Sequence, residues 1–122
     1  MCKVMDQEAL DKLRLEMRRG VIVLAVLARL REEHYGYSLR KTLEQQGIDI
    51  DEGTLYPLIR RLEKQGLLIS EWREENKRKK RFYVLSDTGL EVLQRLGEDW
   101  KTLNASVGRV LGHGMEDRDE SD

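Results

Sequence analysis

Asn76–Arg81 reads NKRKKR, five cations in six residues. Lys77, Arg78, Lys79, Lys80 and Arg81 repel one another at this spacing, and a polyanion relieves that repulsion while releasing its own counterions. A basic turn that only blunts strand edges fits one lysine better than five cations in a row. A second group surrounds the apolar set Leu55, Leu58, Ile59 and Leu62, spaced i, i+3, i+4, i+7. With those inside a helix, Thr54, Tyr56, Pro57, Arg60, Arg61 and Lys64 are left near its other side. Arginine binds guanine O6 and N7 with two bonds, and hydroxyls take phosphates or base edges. Tyr37 or Ser38, just upstream, could reach a phosphate. The bland alternative is a solvated face on which Arg60 or Arg61 pairs with Glu63 or Glu44.

Trp100 is a third candidate. A tryptophan at a central heptad position is ordinarily a large core residue. Here Gly97 lies one turn before it, and Gly20 opens the facing stripe of the first helix. Large beside absent side chains can leave a cavity where a flat aromatic ligand stacks on the indole. Trp72 is expected to cover the inner face of a hairpin. Other chemistry lacks its parts. Cys2 stands alone and His34 and His113 are isolated, so a transition-metal site is not expected. No phosphate-cradling glycine loop follows a strand, and no nucleophile–base–orienter set can be named. An enzyme is therefore disfavoured, and no cofactor is implied.

The elements that must carry these residues follow from periodicity. Leu10, Leu13, Met17, Val21, Leu24 and Leu27 mark a helix from Asp6 to about Glu33. Tyr37–Gln46 reads as a short amphipathic helix ended by Gly47. Glu52–Gln65 reads as a third, ended by Gly66, with Pro57 in its first turn. Leu67–Glu74 and Lys80–Leu85 have strand composition around a basic turn. Ser86 or Asp87 caps a last helix whose stripe is Leu93, Leu96, Trp100, Leu103, Val107 and Val110. The order is helix, helix, helix, hairpin, helix. That is a mainly α fold with a small β-hairpin, a winged helix-turn-helix in which Glu52–Gln65 is the recognition element.

The 122 residues allow one modest domain. The net charge of −1 conceals an asymmetry: Met115–Asp122 carries five acids and one base, and without it the chain holds 21 Lys+Arg against 18 Asp+Glu. The longest apolar run, Val21–Ala28, is too short to span a bilayer, so no membrane partner is expected. No secretory signal is evident, and a cytoplasmic protein is the default. The expected organisation is residues 1–85 as first helix and winged domain, 86–114 as a dimerisation helix, and 115–122 as a disordered acidic tail.

Tyr35-Gly-Tyr37, Gly53-Thr-Leu-Tyr-Pro-Leu-Ile-Arg-Arg-Leu-Glu63, Gly66-Leu-Leu-Ile69 and Phe82-Tyr-Val-Leu-Ser86 with Gly89 carry a resemblance. From about Arg18 to Leu96 the chain resembles the PadR family of bacterial transcriptional regulators. Its single short C-terminal helix is similar to that of the smaller subgroup, with its multidrug-sensing members. The resemblance implies a homodimer, joined through the N- and C-terminal helices, that represses from a palindromic operator on double-stranded DNA. It implies recognition contacts at Thr54, Tyr56 and Arg60, and a wing at Lys77–Arg81. It also implies that Trp100 stacks a planar aromatic effector, with Met17, Gly20, Val21, Leu103, Asn104 and Val107 lining the site. Gly97 departs from the pattern, standing where a bulky residue would help wall that site. The function expected is a ligand-responsive, sequence-specific regulator. The alternative from another class is a winged-helix module that binds protein and no DNA.

Overall fold

Asp6 starts the first helix by accepting the Ala9 N–H at 3.2 Å on its side-chain oxygen. The computed structural model describes residues 5–115. The expected acidic tail beyond Met115 lies outside the described residues. Helix α1 (Gln7–Arg29) is followed by strand β1 (His34–Tyr35), α2 (Gly36–Gln45), α3 (Glu52–Lys64), β2 (Leu68–Glu75), β3 (Arg78–Leu85) and α4 (Asp87–Met115). The sheet order is β1-β3-β2, antiparallel throughout. This is a winged helix-turn-helix.

The core is aliphatic. Val26, Leu27 and Leu30 from α1 meet Leu39 and Leu43 from α2 and Leu55, Ile59 and Leu62 from α3. Leu68, Tyr83 and Leu93 close it from the sheet and α4. The four inward positions expected on α3 are all buried. Removing such side chains from water supplies most of the drive for folding. Both short helices end in the same way. Gly47 and Gly66 take φ of +93° and +83°, a backbone few other residues adopt. Ile48 N–H then reaches back to the Leu43 carbonyl and Leu67 N–H to that of Leu62, satisfying carbonyls the helix leaves open.

Three boundaries differ from the sequence expectation. Helix α1 stops at Arg29 rather than running to Glu33, because the sheet captures the chain: Leu85 N–H donates to the Leu30 carbonyl at 2.8 Å. His34 and Tyr35, which lie between the first two expected helices, pair with Tyr83 and Phe82 and add a third strand to the hairpin. Pro57 is the sixth residue of α3, beyond its first turn. The Gly53 carbonyl it leaves unbonded lies on an exposed residue, where water can serve it.

Ser86 caps α4: its hydroxyl accepts the Gly89 N–H at 2.9 Å and donates to the Gly66 carbonyl at 2.6 Å. The far halves of α1 and α4 leave the core. From Asp11 to Gly20 every residue of α1 is exposed. On α4, Trp100, Leu103, Val107, Val110 and Leu111 are exposed as well. None of the described helices is long and apolar enough to cross a membrane.

Candidate nucleic-acid interface

Burial of Leu55, Leu58, Ile59 and Leu62 fixes the rotation of α3 about its axis. At 3.6 residues per turn, the direction opposite them belongs to Gly53, Pro57, Arg60 and Lys64. Arg60, Arg61 and Lys64 are exposed, and among the described residues none of them meets an acid within ion-pair distance. The two acids expected as their partners are engaged elsewhere: Glu44 with Lys41 at 3.9 Å, Glu63 with Arg81 at 3.2 Å. The helix thus offers water an uncompensated positive face.

The flanks of α3 are more structural. Thr54 lies on the flank toward α1, where it shares a groove of about 380 Å3 with Arg19, Ile22, Pro57 and Arg61. Its hydroxyl donates to Asp51 at 2.8 Å and holds that carboxyl below the ordinary carboxylate range. Tyr56 lies on the opposite flank, half-buried, with its ring against Gly36 at the start of α2. A side-chain carbon at position 36 would overlap the outer end of the Tyr56 ring, so the ring's present seat against α2 depends on glycine there.

At the start of α2, Tyr37 is exposed, and Arg40 and Lys41 lie 5.9 and 6.0 Å from its ring centre. Ser38 is placed differently. Its hydroxyl accepts the Tyr35 N–H at 3.2 Å and donates to the Tyr35 carbonyl at 3.1 Å. His34 Nδ1 is 3.0 Å from the same oxygen. Ser38 is therefore woven into the helix start, while Tyr37 faces solvent.

The wing departs most from its sequence image. Asn76 and Lys77 make a two-residue turn with φ of +55° and +65°. Only Lys77 sits in the reversal. Arg78, Lys79, Lys80 and Arg81 belong to β3, where successive side chains point to opposite faces. Two of the five cations are already engaged. Lys80 pairs with Glu75 at 3.3 Å and lies 4.2 Å from the Tyr35 ring centre. Arg81 donates to Ser70 at 2.9 Å and to both Glu63 oxygens at 3.2 and 3.3 Å, tying β3 to α3. Lys77, Arg78 and Lys79 meet no acid within ion-pair distance among the described residues. Glu74 and Glu75 stand opposite Lys79 and Arg78 in the ladder, so the wing is less positive than NKRKKR suggests.

Between α3 and the wing runs a groove of about 470 Å3 lined by Arg60, Arg61, Glu63, Lys64 and Arg81. The Glu63–Arg81–Ser70 network, of which Glu63 and Arg81 line this groove, was missed in the sequence. The available signal was a single acid, Glu63, at the edge of an otherwise cationic helix face.

The expected effector residues are divided in one chain. Met17 lines a groove on α1 with Asp11, Arg14, Leu15 and Arg18, and Gly97 lines another with Ala28, Leu90 and Lys101. Val21, Trp100, Leu103, Asn104 and Val107 are exposed. A side-chain carbon at Gly20 or Gly97 would have nothing within 4 Å.

Comparison with known proteins gives this arrangement relatives. The model of the transcriptional regulator PadR-like family matches residues 23–95. The chain is similar to Transcriptional regulator Rv3488 of Mycobacterium tuberculosis, 35% identical over 98 residues, 80% of this chain and 89% of that protein. It is also similar to the crystal structure of a PadR family regulator from Eggerthella lenta, with a TM-score of 0.78, 45% identity and coverage of 86% and 94% of the two chains. A PadR-like regulator from Bacillus cereus gives a TM-score of 0.72 at 30% identity, covering 79% of this chain and 96% of that one. The shared fold, the match through both helices of the reader and the wing, and the kinship with whole regulators lead to one conclusion: the chain belongs to the PadR-like family of transcriptional regulators.

Proposed function

We propose that two copies of this chain form a homodimer that binds a palindromic operator in double-stranded DNA as a repressor, and that a planar aromatic effector releases it. The observation that carries this reading is the set of cations without acid partners among the described residues: Arg60, Arg61 and Lys64 on α3, and Lys77, Arg78 and Lys79 at the end of the wing. The α3 set suits the major groove, with Arg60 opposite the buried face and Thr54 and Tyr56 on the flanks. The wing set suits phosphates, with Lys80 and Arg81 behind it, and Tyr37 suits a phosphate beside α2. Ser38 supports that helix start from inside.

Dimerisation is supported by apolar surface that one chain leaves open. Met17 is 73% exposed, Leu103 63% and Val110 75%. Packing the projecting halves of α1 and α4 against a partner's would bury them. Obligate interfaces bury about 2,000 Å2 or more, enough to outweigh the cost of association. Two-fold symmetry then presents two copies of α3 to successive major grooves. Trp100 lies on this face with Val21, Asn104 and Val107. A flat ligand stacked on Trp100 between the two chains, in the room left at Gly20 and Gly97, would change the spacing of the readers. It releases DNA because it binds the other spacing more tightly.

The test is a mobility shift on the duplex upstream of the protein's own gene, with and without planar aromatic cations. Retardation that weakens steeply with salt and is reversed by the dye is expected. A protein that retards no duplex at low salt overturns the reading.

A further inference from the structure

Trp72 is 60% exposed on β2 and contributes nothing to the core. It shares a strand face with Leu68 and Ser70. Leu68 is buried, and Ser70 donates to Glu63 of α3 at 2.5 Å. Trp72 therefore stands on the face of the wing that looks toward α3. Its partner across the ladder is Arg81, whose guanidinium carbon lies 5.5 Å from the indole centre. Arg81 is itself held by Glu63 and Ser70. The indole thus rests on a cation anchored to α3, a contact that limits its freedom.

Cations outnumber acids around that plate, although Glu74 shares its face opposite Lys79 and Glu63 lies in the groove. Lys79 follows on the same face of the wing. Arg60, Lys64 and Arg81 line the groove between α3 and the wing. A duplex drawn to Arg60, Lys64 and Lys79 carries one backbone across this groove. That backbone alternates charged phosphates with apolar deoxyribose faces, and the protein surface alternates cations with one flat apolar plate. We propose that Trp72 is a DNA-contacting residue of the wing, packing its indole on a deoxyribose of the strand whose phosphates meet Lys79. The inference rests on the DNA-binding reading above. The contact is to backbone, so it adds affinity and orientation without sequence preference.

The experiment uses the upstream duplex, the full chain and the variants Trp72→Ala and Trp72→Phe. Trp72→Ala is expected to bind about fivefold to tenfold more weakly on every duplex, with the slope of affinity against salt unchanged, because no phosphate charge is surrendered. Trp72→Phe, which keeps a ring, should recover most of that loss. The chain has two tryptophans, so emission gives a second readout. The emission change on adding duplex should be large in the wild type and much reduced in Trp72→Phe, where Trp100 alone reports. Wild-type affinity in Trp72→Ala, or an undiminished emission change in Trp72→Phe, overturns this contact and leaves DNA binding standing. Should Trp72→Ala fail to fold, the emission of Trp72→Phe decides. A wild-type chain that binds no duplex brings down both readings.

Discussion

The Glu63 carboxylate on α3 accepts the Arg81 guanidinium of β3 at 3.2 and 3.3 Å, joining the recognition helix to the wing by side chains alone. The two residues are 18 positions apart, and Ser70 of the neighbouring strand bonds to both. One carboxylate on α3 thus engages both long strands of the wing, beside the core packing of Leu68 and Tyr83.

A double-mutant cycle with Glu63→Gln and Arg81→Met measures that link. The side chains remain 26% and 39% exposed, so water screens much of the attraction. The coupling expected in urea unfolding is about 1 kcal/mol, at the upper end for accessible pairs. Strictly additive losses would show that the two groups sit together without holding each other.

Lys77 stands in the left-handed region at φ +65°, where a side chain is unfavourable by about 1–2 kcal/mol. Lys77→Gly is expected to raise unfolding stability by up to about 1 kcal/mol, since glycine's freedom in the unfolded chain offsets part of the relief. The same change should lower the salt slope of DNA binding by about 0.9 per subunit, about 1.8 for a dimer, if each Lys77 meets a phosphate. Thermal unfolding and binding at several salt concentrations separate the two effects.

Val107 is 52% exposed on the projecting half of α4. Val107→Asp places a charge where two chains would pack, and burying it unpaired is far more costly than leaving it in water. Sedimentation should show the mass fall from two subunits to one, while the helical signal of the winged core persists. A variant that remains dimeric would move the interface off this face.

Burial holds the His34 imidazole below its ordinary value of 6.5; Arg29 acts in the same direction and Glu32 against it. Below pH 6.5 the unfolded chain takes up a proton that the folded chain refuses. Stability should therefore decline as pH falls from 6.5 toward the folded value and then level off. His34→Asn removes that slope, so its melting temperature should change less between pH 7.5 and 5.5 than the wild type's, in buffers chosen to bracket 6.5. Equal slopes would assign the acid sensitivity to other groups.

Elements with a strong period were legible in the chain. The inward set of α3 emerged from spacing alone, and Gly47 and Gly66 marked true helix ends. The misplaced features have physical causes. Arg31, Glu32 and Glu33 are ordinary helix formers, and what stops α1 is a bond from Leu85, far along the chain. A two-residue strand such as His34–Tyr35 has no period to detect. In β3 the run of like charges masks the alternation, so cations of opposite faces read as one patch. The rotation of α3 could be derived, whereas the bridge from Glu63 to Arg81 depends on how the wing folds back.

Gly36 bears on more than packing. The phenol of Tyr56 fills the space a side chain would need there, so the seat of that ring on the flank of α3 is governed by a missing atom. A carbon added at position 36 would work as a shim against that ring, swinging the phenol out of its seat beside α3. The outer surface of one helix would then be reshaped by a change at the start of another.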